Sequence, residues 1–241
     1  MKNVLITGGS RGLGLSLVKK FINEDWNVFT VSRSESPELN ELKTHAYPSL
    51  KHKCVDLSDP AKLKEDIFKS FLTSSTPIHA VVHNAALAYD DIVTNVNYSV
   101  LNNMYKVNVL SPIMINRHAI RNMLYNRVKG SFVSISSISS LTGYKGLSMY
   151  ASTKGALESL TKNLAREWGP RQIRFNCVVP GFMETDMSKK LTKEQKNKIY
   201  NRTCLKKETS VESVADTVFF LCHDESLTIT GQNIYVDSGT V

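Results

Sequence analysis

Val4-Leu-Ile-Thr-Gly-Gly-Ser-Arg-Gly-Leu-Gly-Leu-Ser-Leu-Val18 is the stretch that decides the fold of this 241-residue chain. An apolar run of strand length feeds a glycine-rich turn, and a helical pattern follows at once. Gly8, Gly12 and Gly14 permit positive backbone angles and close approach of a ligand. The helix behind them offers free N–H groups and its positive dipole end to a pyrophosphate. The spacing, Thr-Gly-x-x-x-Gly-x-Gly, differs from the common dinucleotide fingerprint and, lacking Lys-Ser/Thr, from a P-loop. Its place directly after an apolar strand points to nucleotide binding at the first strand-to-helix turn of an α/β domain.

Outward from this turn, strand signals alternate with helix signals, the pattern of a parallel sheet covered on both faces. Strands are expected at 4–7, 27–31, 52–56, 80–83, 131–136, 174–179 and 233–236. Asp59-Pro60 reads as a helix start, a capping aspartate before a proline, and Ser210 as the cap of the apolar-periodic run Val214 to Leu221. Residues 34–50, with two prolines, read as irregular surface. The expectation is one Rossmann-like, doubly wound domain over 1–241 with a seven-stranded parallel sheet flanked by helices. The ends of strands one, two, four and five then deliver Gly8, Arg33, Asn84 and Ser137 to one sheet edge, where such folds bind ligands.

Composition fits that reading: at 41% hydrophobic residues the chain can bury a sizeable core. Its longest apolar runs are strand-length, well short of the roughly 20 residues of a membrane span, and the first strand starts too early for a signal peptide. Cys54, Cys177, Cys204 and Cys222 show no metal-like spacing and read as reduced thiols of a cytoplasmic protein. The six histidines are scattered, so no metal site is expected. The balance of +8 is basic. No nucleic-acid-binding signature accompanies it.

A second motif carries the chemistry. Ser137 closes an apolar strand-like run, and Tyr150-x-x-x-Lys154 follows. If the segment from Ser148 is helical, Tyr150 and Lys154 stand one above the other on one face. An ammonium there stabilises a phenolate and lowers the tyrosine from its ordinary value of about 10 toward the working range of a general acid. Ser137 would hold the substrate oxygen against that phenol, with Ser136, Ser139 and Ser140 as neighbouring alternatives.

Together these residues resemble the short-chain dehydrogenase/reductase family over essentially the whole chain. The matching motifs are Thr7-Gly8-x-x-x-Gly12-x-Gly14, Asp56, Asn84-Ala85-Ala86, Asn108, Ser137, Tyr150-x-x-x-Lys154 and Pro180-Gly181. Within the family, Pro180-Gly-Phe-Met-Glu-Thr-Asp-Met187 and Ile229-Thr-Gly-Gln-Asn-Ile-Tyr-Val-Asp237 resemble the bacterial 3-oxoacyl-acyl-carrier-protein reductases. One departure is visible: the usual Asn-Asn-Ala-Gly is here His83-Asn84-Ala85-Ala86, which adds a methyl near the cofactor.

The resemblance implies roles. Tyr150 is the acid, Ser137 polarises the carbonyl, and the family's separation selects it over the other serines. Lys154 binds the nicotinamide ribose and tunes Tyr150; Asn108 kinks a helix and holds a water for proton relay. Gly8, Ser10, Arg11, Gly12, Leu13 and Gly14 hold the cofactor with Asn84, Ala85, Ala86, Tyr150 and Lys154. So do Pro180, Gly181, Met183 and Thr185, while Asp56 and Leu57 lie at the adenine. An acid after the second strand would select NAD, but here Val31-Ser32-Arg33 and Arg11 favour the 2'-phosphate of NADPH.

Residues 181–210 are expected to cover the substrate. They hold eight Lys or Arg against four acids, half of the chain's net charge. An acyl carrier protein or phosphopantetheine thioester suits that surface, with Arg171, Arg127 and Lys129 expected to extend it near the pocket entrance. The implied activity is reduction of a 3-oxoacyl thioester in fatty-acid or polyketide synthesis by a homotetramer. Reduction of a small ketone and non-catalytic nucleotide sensing are the alternatives.

Overall fold

The computed structural model describes residues 1–184 and 192–240. Seven strands form one parallel sheet, β1 (Asn3–Thr7), β2 (Asn27–Ser32), β3 (Leu50–Cys54), β4 (Ala80–His83), β5 (Ser131–Ile135), β6 (Arg174–Pro180) and β7 (Asn233–Val236). Their order is β3-β2-β1-β4-β5-β6-β7. The helices are α1 (Gly12–Asn23), α2 (Pro37–His45), α3 (Tyr98–Tyr105), α4 (Ser111–Tyr125), α5 (Ser148–Trp168), α6 (Lys193–Tyr200) and α7 (Val211–Cys222).

Period-2 alternation along the strands feeds two cores. Val4 and Ile6 of β1 face Leu17, Val18 and Phe21 of α1 and Val214, Val218 and Leu221 of α7. Leu5, between them in sequence, faces the other layer with Val81, Phe132, Phe175 and the α4 residues Ile115, Ala119 and Met123. The Phe132 and Phe175 rings stack at 4.4 Å across β5 and β6. Ser210 caps α7 by accepting the Ser213 N–H at 3.1 Å.

Three expectations fail locally. Residues 34–50 contain α2: Ser36 accepts the Leu39 N–H, Pro37 occupies the first turn, and Leu39 is fully buried against the α1 core. The third strand runs over Leu50–Cys54 rather than 52–56. It stops there because Asp56 turns its carboxylate back onto the Ser58 N–H at 2.9 Å. Asp59-Pro60 starts no α-helix. Asp59 pairs with Lys62 at 3.0 Å, and the chain then makes a widened helical turn over Lys64–Lys69. Lys53 Nζ and Ser70 Oγ take the Asp66 and Glu65 carbonyls there, competing with regular helical bonds.

In a parallel sheet, Lys129 just before β5 and Arg171 just before β6 lie at the edge opposite Ser137 and Pro180. Eight residues of near-extended chain separate Lys129 from Ser137, roughly 25 Å at about 3.3 Å each. Within one chain, Arg127, Lys129 and Arg171 are therefore not at the pocket entrance. Among the described residues no helix is long and apolar enough to cross a membrane.

Candidate active site

At the glycine turn, the backbone explains the residue types. Gly8 has φ +74 and Gly12 φ +53, in the left-handed region that glycine enters without strain. A Cβ on Gly14 would stand 1.9 Å from the Gly8 carbonyl oxygen, so the turn closes only with hydrogen there. Thr7 locks it to β4: its Oγ1 accepts the N–H groups of Asn84 and Ala85, both at 3.1 Å. Asn84 Nδ2 returns the link by donating to the Thr7 and Gly8 carbonyls at 3.0 and 3.1 Å.

Above the carboxyl ends of the strands lies a cleft of about 780 Å³. Gly8, Ser10, Arg11, Gly12, Leu13 and Gly14 line its first wall, and Arg33, Asp56 and Leu57 one end. Asn84, Ala85 and Ala86 form the floor beside Ser137, Tyr150 and Lys154. Pro180, Gly181 and Met183 close the far side. Thr185 lies outside the described residues. Asn108 sits behind the cleft wall rather than on it. Asp56 is held below the usual carboxylate range by its bonds to Ser58, and more weakly by the Arg33 charge.

Tyr150 and Lys154 both rise from the first turns of α5. Lys154 is 3% exposed, its Nζ donates to the Ile135 carbonyl at 2.8 Å, and it lies 5.5 Å from the Tyr150 ring centroid. Burial lowers its ammonium to about 8. Burial, and then the Asp90 carboxylate, push the Tyr150 phenol above its ordinary value. This reverses the direction expected from the Tyr-x-x-x-Lys spacing. Here the desolvation cost of a phenolate outweighs the pull of an ammonium that is itself poorly solvated.

The four serines separate by where their hydrogens go. Ser136 donates to Glu158, Ser140 has Glu158 and the Ser137 carbonyl within reach of its one hydrogen, and Ser139 donates to Ser137 at 3.0 Å. Ser137 accepts that bond and the Ser139 N–H at 3.2 Å, which leaves its own hydrogen for a ligand.

Asn108 stands in a widened turn, Lys106–Leu110, that joins α3 to α4. Its Oδ1 accepts the Leu87 N–H and its Nδ2 donates to the Leu87 carbonyl, both at 2.8 Å. The second amide hydrogen goes to Thr153 Oγ1 at 3.0 Å, and Thr153 in turn bonds the Tyr150 carbonyl at 2.7 Å.

A family model described as enoyl-(acyl carrier protein) reductase matches residues 8–241. The chain belongs to the short-chain dehydrogenase/reductase family. Members of this family are oxidoreductases. Carbonyl reductase [NADPH] 2 of Sus scrofa is 32% identical over 98% of this chain and 94% of its own. The 3-oxoacyl-[acyl-carrier-protein] reductase FabG of Chlamydia pneumoniae is 31% identical over 99% and 96%. The solved structure of ElxO with NADP bound matches with a TM-score of 0.86 at 28% identity, covering 99% of this chain and 98% of that one.

In this short-chain dehydrogenase/reductase the cleft also draws on Val55, Leu87, Asn103 and Val107, which the sequence reading did not pick out. The apolar wall residues Val55, Leu87 and Val107 have no chemical signature of their own; only their places beside Asp56, Ala86 and Asn108 mark them. Thr7 was visible within the glycine motif, but its role as acceptor for two β4 amides depends on the neighbouring strand. Among the described residues no group of three His, Cys, Asp or Glu gathers as a metal set.

Proposed function

We propose that this protein is an NADPH-dependent ketoreductase that converts an acyl-carrier-protein-bound 3-oxoacyl thioester to the 3-hydroxyacyl thioester. The observation that carries the reductase reading is the convergence of Tyr150, buried Lys154 and Ser137 with a spare hydrogen on one cleft. Bound NADPH supplies the hydride. Ser137 donates a hydrogen bond to the carbonyl oxygen, and Tyr150 delivers the proton there. The raised phenol keeps that proton at neutral pH, which suits an acid working in the reductive direction. Lys154 sets the charge beside the phenol and offers its remaining hydrogens to the ribose. Asn108, bonded through Thr153 to the Tyr150 backbone, holds α5 in register with the Leu87 wall.

The cofactor assignment has its own support. Arg11 and Arg33 both line the cleft, and no acid follows β2 before Glu35. Guanidinium groups there suit a 2'-phosphate.

The carrier-protein assignment draws on the FabG relative and on charge at the right edge. From Pro180 the chain enters the basic segment, where Lys198 and Arg202 are exposed. The Glu184–Lys196 pair at 3.1 Å and the Tyr200 bond to Glu184 at 2.7 Å tie α6 to the cleft side. An acidic partner meets this surface through steering that salt weakens. Lys198→Glu with Arg202→Glu is expected to raise KM for a carrier-bound substrate and leave a short carrier-free thioester unchanged. Equal effects on both would count against docking here.

The carbonyl reductase relative, at similar identity, favours a second reading, a small free ketone as substrate. A panel of acyl thioesters and free ketones, followed by loss of NADPH absorbance, decides between them. We also assign the chain to a homotetramer in the cytoplasm. Its four free thiols, two of them exposed, suit a reducing compartment. Ile113 on α4 is 40% exposed, an apolar side chain that a subunit interface would cover. Light scattering at micromolar concentration checks the assembly.

A further inference from the structure

Behind the turn that follows β2 stands a buried histidine. The His52 side chain, on β3, is 3% exposed, and its Nε2 lies 2.8 Å from Ser32 Oγ. Ser32 Oγ also reaches the Ser34 carbonyl at 2.8 Å, so this one hydroxyl joins the histidine ring to the turn. Burial holds His52 below the ordinary histidine range, and the second nitrogen of the ring is Nδ1. That atom faces Glu35 Oε1 at 3.7 Å, and Lys43 Nζ binds the same oxygen from the other side. Ser36 adds an outer tie, its hydroxyl donating to the Ser10 carbonyl of the glycine turn at 2.6 Å. Between these fixed points, Arg33 and Ser34 are exposed and line the cleft.

We propose that His52 is a positioning residue for the cofactor's 2'-phosphate, holding through Ser32 the turn that presents Arg33 and Ser34 to it. This rests on the NADPH reading above. The effect is selective because NADH lacks the phosphate and gains nothing from a fixed Arg33. His52 touches no reacting atom. It acts through one hydroxyl and one backbone carbonyl.

The experiment measures Kd for NADPH and NADH on the protein without substrate, by fluorescence titration. Loss of one neutral hydrogen bond in His52→Ala is expected to weaken NADPH about 5- to 10-fold and leave NADH unchanged. His52→Gln, whose amide offers both a donor and an acceptor at a similar place, restores most of the NADPH affinity. Ser32→Ala cuts the same link from the other end and gives the same selective loss. Arg33→Ala tests the underlying reading: an unchanged NADPH/NADH ratio in that variant removes NADPH recognition, and this inference with it. If Arg33→Ala shifts the ratio while His52→Ala and Ser32→Ala do not, the inference alone is overturned. Equal weakening of both cofactors, or a Gln variant no better than Ala, also overturns it, since that is how a purely structural histidine behaves.

Discussion

At the active cleft, one side chain's function conflicts with its own comfort. Lys154 is an ammonium at 3% exposure with a single neutral carbonyl bond, and its value falls to about 8. Its native value is below the unfolded one, near 10.5, so between about pH 8 and 10.5 the unfolded chain binds more protons and stability rises with pH. Below pH 8 the charged lysine is a net cost. Lys154→Met is therefore expected to raise the thermal midpoint at pH 7 and to abolish turnover. At about 1.4 kcal/mol per unit the gain is on the order of 3 kcal/mol, and it shrinks as pH rises toward 10. Thermal melts at pH 7 and 9.5 check this; a variant less stable than wild type at pH 7 would show that packing, not charge, dominates at this site. Tyr150→Phe separates chemistry from binding. It removes the proton that the cleft keeps on the phenol, so kcat should fall at least about 10²-fold while NADPH titration gives a nearly unchanged Kd.

Elements carry these residues, and the widened turn at Lys106–Leu110 does so through Asn108. Asn108 is 1% exposed and satisfies both backbone polar groups of Leu87, which follows Ala86 on the cleft floor. Asn108→Ala removes both bonds to the part-buried Leu87 N–H and carbonyl, at a cost of about 1 kcal/mol each. The expected outcome is a lower denaturation midpoint together with a loss of kcat, and Asn108→Asp, which keeps an acceptor for Leu87 N–H, should recover part of the stability. Six of the seven strands were legible because their apolar runs are bounded by glycine, proline and charge, whereas β3, Leu-Lys-His-Lys-Cys, has no such run and was placed two residues late. Ser210 before Val214 likewise marked α7. The widened turns were not legible: a helix that gains a residue breaks the 3.6-residue period by which helices are read, and side chains distant in sequence, such as Lys53, help set it. Residues 34–50 hid α2 behind two prolines, although Ser36-Pro37-Glu38 is a regular helix start and only Leu39 among its nine residues is buried. The site residues Gly8, Arg33, Asn84 and Ser137 could be placed on one edge from the strand ends alone. The protonation of Tyr150 could not, because it depends on burial and on Asp90, which the sequence places far from it.

For the molecule as a whole, acid is the condition its interior resists least. His52, His79, His83 and His118 all fall below the ordinary histidine value, burial being the leading cause in each. His83 is the extreme case, down to about 4. It takes the first position of the motif before Asn84, with Nε2 at 2.7 Å from Asn116 Oδ1, while Nδ1 is buried with no hydrogen-bond partner. Its ring lies between sheet and α4, stacked at 6.5 Å on Phe132. The native value is below the unfolded one, near 6.5, so the unfolded chain binds the extra proton between those limits. Stability is thus fully present above about pH 6.5 and is lost as pH falls toward 4. At about 1.4 kcal/mol per unit, His83 alone accounts for roughly 3 kcal/mol of that loss. The partly shielded His52, His79 and His118 add smaller increments of the same sign. Urea unfolding from pH 7.5 to 4.5 should show a falling midpoint in wild type. His83→Asn, which carries no proton in this range, should flatten the curve while losing some stability at pH 7.5 through the changed packing against Phe132. An equally steep fall in that variant would place the acid sensitivity in the other histidines and in the carboxylates instead.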